Sequence, residues 1–118
     1  VLDQFSRNLY RNQAQAFAQD GMALVLAQEI VLQPHFHTLP MAWRKFAIMP
    51  FMHSESFVIH KRYMPLFEKL EDAVTLDFEQ QHKDIIEPFG RYPHRNNMLD
   101  RESTDEEKAF LQQWNSSF

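Results

Sequence analysis

The chain has no cysteine and only two glycines in 118 residues. Without a thiol there is no disulfide framework, no thiolate nucleophile and no Cys-ligated zinc. A reducing compartment is permitted, and the cytoplasm is the expected location. Two glycines are few for a sheet protein of this length, whose tight hairpin turns need positive φ. Long apolar runs are missing as well. No stretch approaches the ~20 residues that span a bilayer, and the charged beginning around Asp3, Arg7 and Arg11 does not resemble a signal peptide, so no membrane partner is expected. A net charge of -4 with both signs interspersed lacks the positive field that broad nucleic-acid binding requires. No nucleic-acid partner is expected, although a local basic patch is allowed.

What is present favours helix: Ala, Leu, Met, Gln, Glu and Lys are frequent. Eleven Phe, three Tyr and two Trp predict an aromatic-rich core. The length fits one domain, residues 1–118, able to bury roughly two-thirds of its unfolded surface. The fold class expected is all-α, an antiparallel array of five or six helices.

Periodicity places the elements. Leu2, Phe5 and Leu9 share one side of a short helix from Asp3 to about Arg11. A long helix follows from Gln13 to Gln33, with Phe17, Gly21, Leu24, Gln28 and Val31 in a stripe flanked by Met22, Val25, Leu26, Ile30 and Leu32. So many apolar positions predict burial on more than one side, and Gly21 is expected at a close helix approach. Pro34 and Pro40 bracket a connection carrying His35 and His37, which read as solvated loop histidines. Trp43, Phe46, Ala47, Pro50 and Phe51 mark a third helix that should bend or stop near Pro50. Ser54 reads as the N-cap of a fourth helix, whose stripe is Phe57, Lys61, Met64, Phe67 and Leu70 with a kink at Pro65, and His60 falls on a solvated or boundary face. A fifth helix from about Asp72 to Glu87 aligns Phe78, His82, Ile85 and Phe89, which turns His82 inward; Pro88 and Gly90 close it. Gly90 to Arg101 has no period and reads as a loop. Ser103 and Glu106 form a capping box for a last helix carrying Phe110, Leu111, Trp114 and Phe118. Asp105, Glu106 and Glu107 suit the positive end of its dipole.

Polar side chains concentrate in three stretches: Asp3-Gln4-Phe5-Ser6-Arg7-Asn8, then Pro50 through Ser56, then His82 through Ile86 continuing into Phe89-Gly90-Arg91-Tyr92-Pro93-His94-Arg95-Asn96. Arg7, Arg91 and Arg95 offer planar forks for carboxylate or phosphate; they can equally pair with Asp3, Glu55 or Asp84 and tie helices together. His53, His82 and His94 are candidate general bases, proton shuttles or metal ligands, with His82 also readable as a core histidine bonded to backbone or to Asp3 or Glu55. His53 and Glu55 stand two apart at a helix start and do not match the His-Glu-x-x-His spacing, so no metal is assigned. Ser54 beside His53 and Glu55 invites a Ser-His-acid reading, but capping accounts for it better. Tyr10 and Tyr92 can bond into the cluster. Met49, Met52 and Met64 read as core, and the absence of a Gly-rich phosphate loop leaves nucleotide binding without its usual support. No cofactor is expected.

These three signatures in order, followed by Gly90-Arg91-Tyr92-Pro93-His94-Arg95-Asn96 and by Arg101-Glu102-Ser103-Thr104 with Glu106-Glu107, resemble the bacterial family known as domain of unknown function 924 over nearly the whole chain. The resemblance implies a tetratricopeptide-like helical fold and no established activity. Family members carry a further aromatic-rich N-terminal portion, and this chain, beginning at Val1 with helical spacing already under way, is expected to be a fragment of a longer family domain. Pro88 stands where the family suggests a polar or basic helical residue, and Asp100 where it suggests Gly.

The function expected is binding of an anionic small molecule or peptide through Arg7, His53, Glu55, His82, Arg91, His94, Arg95 and Asn96. A small hydrolase with a His base and an Arg anion site is the second reading, and a purely structural or interaction module the third. Leu2, Phe5, Leu9 and the apolar face of the long helix further suggest a homodimer.

Overall fold

The computed structural model describes residues 20–113, and the described residues form five α-helices with no strand. They are α1 (Asp20–Val31), α2 (Met41–His53), α3 (Phe57–Glu68), α4 (Ala73–Phe89) and α5 (Asp105–Gln113), with short 3-10 turns at Phe36–Thr38 and Pro93–Arg95. The all-helical fold matches the expectation from composition. The helix expected from Asp3 to Arg11, the long helix before Asp20, and Trp114 and Phe118 lie outside the described residues.

Each helix end has a local cause. Gln33 returns its side-chain amide to the Glu29 carbonyl at the end of α1, and Pro34 stops the helix. Pro50 removes one backbone donor from α2, yet the helix continues to His53 because Phe51 and Met52 beyond it are fixed in the core. The cap of α3 is Ser56, whose hydroxyl accepts from Ile59 N at 3.4 Å. Ser54, the residue expected there, instead accepts from Ser56 N at 3.1 Å, shaping the turn before the cap. Asp72 caps α4 through Thr75 N, and Gly90 at φ 69° closes it in the left-handed region with its N–H on the Ile86 carbonyl. Thr104, rather than Ser103, caps α5: its hydroxyl accepts from Glu107 N while Glu107 Oε1 accepts from Thr104 N, so the reciprocal box is Thr104 with Glu107.

Two apolar clusters hold the array. The larger joins Ala27 of α1, Phe36, then Ile48, Phe51 and Met52 of α2, and Phe67 and Leu70, with Tyr63 stacked on Phe51 at 3.8 Å between ring centres. The smaller joins Ile85, Ile86 and Tyr92, covered by Phe57, Phe89 and Phe110. The aromatic weight of the core follows the composition.

Three registers differ from the expected stripes. In α1 the buried positions are Ala23 and Ala27, whereas Met22, Val25, Leu26 and Ile30 are exposed, as is Leu32 just past the helix end, so burial is one-sided among the described residues. Gly21 meets no atom within 4 Å of a built Cβ and supports no close approach. In α2, Trp43 and Phe46 are exposed while Ile48, Phe51 and Met52 are buried. In α3 the buried line runs through His60 and Phe67, leaving Lys61 outside: counting four from Phe57 selects Lys61, but counting three selects His60.

Candidate functional site

The segment after α4 supplies most of the cluster, because Gly90 reverses the chain and the 3-10 turn Pro93–Arg95 folds it back over α2 and α3. Its centre is Tyr92, which is fully buried. Tyr92 donates its hydroxyl to the Met52 carbonyl at 2.5 Å, and His82, His94 and the Arg95 guanidinium surround its ring, the last at 4.7 Å from the ring centre. Burial pushes the phenol well above its ordinary range, so it stays a neutral donor.

On one side of Tyr92 runs a chain of ion pairs. Arg101 grips both oxygens of Glu55 at 3.0 and 3.1 Å, and Tyr92 N donates to the same carboxylate at 2.7 Å. Burial raises the Glu55 carboxyl, but these hydrogen bonds and Arg95 outweigh it and hold the group below the usual carboxylate range. Arg101 Nε donates to Asn96 Oδ1, and Asn96 Nδ2 donates on to Ser103 Oγ. Arg91 then takes both oxygens of Glu107 at 2.8 and 2.7 Å. That bidentate partner lowers the Glu107 carboxyl to about 2. Two arginines are therefore committed to carboxylates in fork geometry, and the chain ties the α2–α3 connection to the start of α5.

On the other side His60 and Glu79 meet at 2.7 Å with both side chains fully buried. His60 Nε2 lies 2.7 Å from the Ser54 carbonyl and 3.0 Å from Tyr92 Oη, so both ring nitrogens face oxygen. Burial raises the Glu79 carboxyl against the pull of His60, and Glu79 Oε1 has no hydrogen-bond donor among the described residues. The order carboxylate, imidazole, hydroxyl resembles a catalytic relay, but all three residues are sealed from solvent, and the arrangement packs helices together.

His82 donates Nδ1–H to the Phe78 carbonyl at 2.6 Å, and burial lowers its imidazole to about 3, so it is neutral near pH 7. It behaves as the core histidine bonded to backbone that its register allows.

Between α1 and the turn after α2 lies a cavity of about 240 Å³. Leu24, Pro50 and Leu99 wall it, and Asp20, His53 and Arg95 supply polar groups. The Arg95 side chain is 8% exposed; it donates to the His53 carbonyl at 2.9 Å and approaches Asp20 at 3.7 Å. Ser54 and Glu55 also border the cavity.

Of the eight residues expected to form a site, the described part of the chain brings His53, Glu55, His82, Arg91, His94, Arg95 and Asn96 around Tyr92, but in different environments. Arg7 lies outside the described residues, as does Asp3. Asp84 accepts from Gln80 and pairs with neither Arg91 nor Arg95. Sequence reasoning passed over Arg101, Glu79 and Asp20, and it placed His60 on a solvated or boundary face, whereas His60 is buried against Glu79. Arg101 stands inside the Arg101-Glu102-Ser103-Thr104 run that marks the family pattern, which was its available signal. Glu79 lies three residues before His82 on the same helical face; its charge hides it from a search for apolar period. No group of three or more His, Asp or Glu among the described residues converges in an arrangement that could hold a metal ion, and His53, Glu55, His82 and His94 do not form one.

The described residues form an all-helical array clasped by partly buried ion pairs. The chain belongs to the family described as bacterial protein of unknown function (DUF924), whose model matches residues 1–115. A solved structure of a protein of unknown function from Agrobacterium tumefaciens is similar at 38% identity and TM-score 0.88, over 95% of this chain and 63% of that one. The chain thus spans under two-thirds of that relative's length. No curated protein matches. Among the described residues no helix is long and apolar enough to cross a membrane.

Proposed function

We propose that this domain binds a small carboxylate- or phosphate-bearing molecule, or a peptide terminus, in the cavity between α1 and the α2–α3 connection, with Arg95 as the anchoring cation. The observation that carries this reading is the cavity itself, in which the largely buried Arg95 side chain stands beside the apolar wall of Leu24, Pro50 and Leu99. A guanidinium held by the His53 carbonyl and the Tyr92 ring presents its charge without having to reorganise. The rest of the cluster acts as a clasp that keeps the cavity walls in register. A hydrolase would need an imidazole base at the cavity, which leaves His53 and removes His82.

Isothermal titration of the 118-residue chain against a panel of small carboxylates and phosphates tests this reading. Saturable binding is expected, with Arg95→Lys or Arg95→Ala weakening it by about tenfold or more. Arg91→Ala is expected to lower thermal stability while keeping affinity. If no member of the panel binds, or if the Arg95 variants bind as well as the parent, the cluster is a structural clasp alone. We also propose that the exposed apolar arc of α1 pairs with a second copy of the chain, a reading supported by Met22, Val25, Leu26 and Ile30 standing exposed on that helix.

A further inference from the structure

Glu79 and His60 face each other from α4 and α3, both fully buried, and neither lines the cavity between α1 and the α2–α3 connection. Their neighbours fix where the hydrogens lie. His60 Nε2 stands 2.7 Å from the Ser54 carbonyl, which can only accept, and 3.0 Å from Tyr92 Oη, whose own hydrogen goes to the Met52 carbonyl. A bare Nε2 would set its lone pair against two acceptors, so Nε2 carries a hydrogen. Nδ1 meets Glu79 Oε2 at 2.7 Å, a nitrogen-to-oxygen contact that requires a second one between them. Imidazole and carboxyl together then hold two protons and carry no net charge. Glu79 Oε1 has no hydrogen-bond partner among the described residues, and burial raises this carboxyl, which favours the neutral acid over a carboxylate left bare on one side. The other titratable and charged groups facing the pair are His82 and Lys83 on α4, His53 on α2 and Tyr92, with His94 and Arg95 against the Tyr92 ring.

We infer that the His60–Glu79 pair is a proton-dependent latch, which holds the α2–α3 connection onto α3 and α4 through the Ser54 carbonyl and gives way when alkaline pH removes its second proton. With only one hydrogen left, whichever imidazole nitrogen keeps it, the other turns a lone pair on an oxygen 2.7 Å away. Either the carboxylate or the Ser54 carbonyl is then left without its donor inside the fold. Counting protons gives the pH dependence. Between about pH 4.5 and 6.5 the unfolded chain holds two protons on these groups, as imidazolium and carboxylate, the same number as the folded pair, so no slope arises. Above about pH 6.5 the unfolded chain keeps one and the folded pair still two, so stability falls as pH rises. His82 is neutral in both states there and adds nothing.

Urea unfolding of the 118-residue chain at a series of pH values tests the latch. The unfolding equilibrium constant is expected to rise up to about tenfold per unit from about pH 7 to 9, with close to one proton released per molecule unfolded. Glu79→Gln keeps both contacts without the second proton, because its amide donates to Nδ1 while Nε2–H still donates to Ser54. That variant is expected to lose the alkaline slope and to become up to about tenfold less stable per unit below about pH 6.5, where the unfolded imidazole charges and the folded one stays neutral. A contact that served only packing would shift stability by the same factor at every pH. A parent constant that is flat from about pH 7 to 9, or a Glu79→Gln variant that keeps the parent's alkaline slope, overturns the inference. The first of these needs no variant, so it stands even if Glu79→Gln folds poorly.

Discussion

Tyr92 and His82 illustrate how one buried side chain fixes the chemistry of another. The Tyr92 hydroxyl occupies the Met52 carbonyl and touches His60, while its ring lies 5.5 Å from His82 and helps exclude water from that imidazole. His82 consequently titrates far below its ordinary value of 6.5, at about 3. The sign of the effect on stability follows from proton counting. Between those two values the unfolded chain binds a proton at His82 that the folded chain does not, so stability is fully present above pH 6.5 and is lost as pH falls toward 3. Glu107 and Glu55, both lowered, add losses of the same sign below about pH 4.5, and Glu79, raised, acts in the opposite direction. Denaturant titrations at a series of pH values are expected to show stability rising from pH 4.5 to 6.5 with a slope of up to about 1.4 kcal/mol per unit. His82→Leu, which cannot titrate, should flatten that slope; an unchanged slope in the variant assigns the effect elsewhere.

Two helix-end assignments can be tested at the scale of the element. If Thr104 and Glu107 form the box that starts α5, Thr104→Ala costs about 1 kcal/mol. Glu106→Ala, at an exposed position outside that box, stays within about 0.5 kcal/mol of the parent. The opposite ranking by thermal or urea unfolding would return the cap to Ser103 with Glu106. The turn before α5 offers a stabilising change. Asp100 adopts φ 56°, the left-handed region in which a side chain is strained, and it is the position where the family pattern suggests Gly. Asp100→Gly is therefore expected to raise stability by up to about 1 kcal/mol, read as a shift in denaturation midpoint at constant slope. A loss instead would mean that the Asp100 side chain contributes more than its backbone strain costs.

At the scale of the described molecule, large apolar side chains stand exposed on α1 and just past its end. Met22, Val25, Leu26 and Leu32 are each about half exposed or more, a density of large apolar side chains that water tolerates poorly. Sedimentation or light scattering is expected to report a dimer at micromolar concentration. Leu26→Glu should shift it to monomer with stability of the fold kept within about 0.5 kcal/mol, since Leu26 contributes little to the interior. A monodisperse monomer for the parent chain would remove the self-association reading and leave the cavity untouched.

The sequence by itself determined the helical class, because scarce glycine, abundant helix formers and apolar residues at three- and four-residue spacing act locally and leave the sheet alternatives without turns or alternation. It also marked the polar residues around Tyr92, since Arg, His and Asn in such density rarely serve only as surface. Periodicity stopped short wherever a buried position is polar. His60, Glu79 and Glu107 are as buried as the core phenylalanines, but their burial depends on partners far away in sequence, and no local pattern carries that. Which arginine meets which carboxylate was likewise a matter of tertiary geometry: Gly90 and the turn Pro93–Arg95 aim Arg91 at α5 and Arg95 at α1, while the later turn brings Arg101 to Glu55. Long-range electrostatics pairs groups by distance in space, and only the folded chain sets those distances.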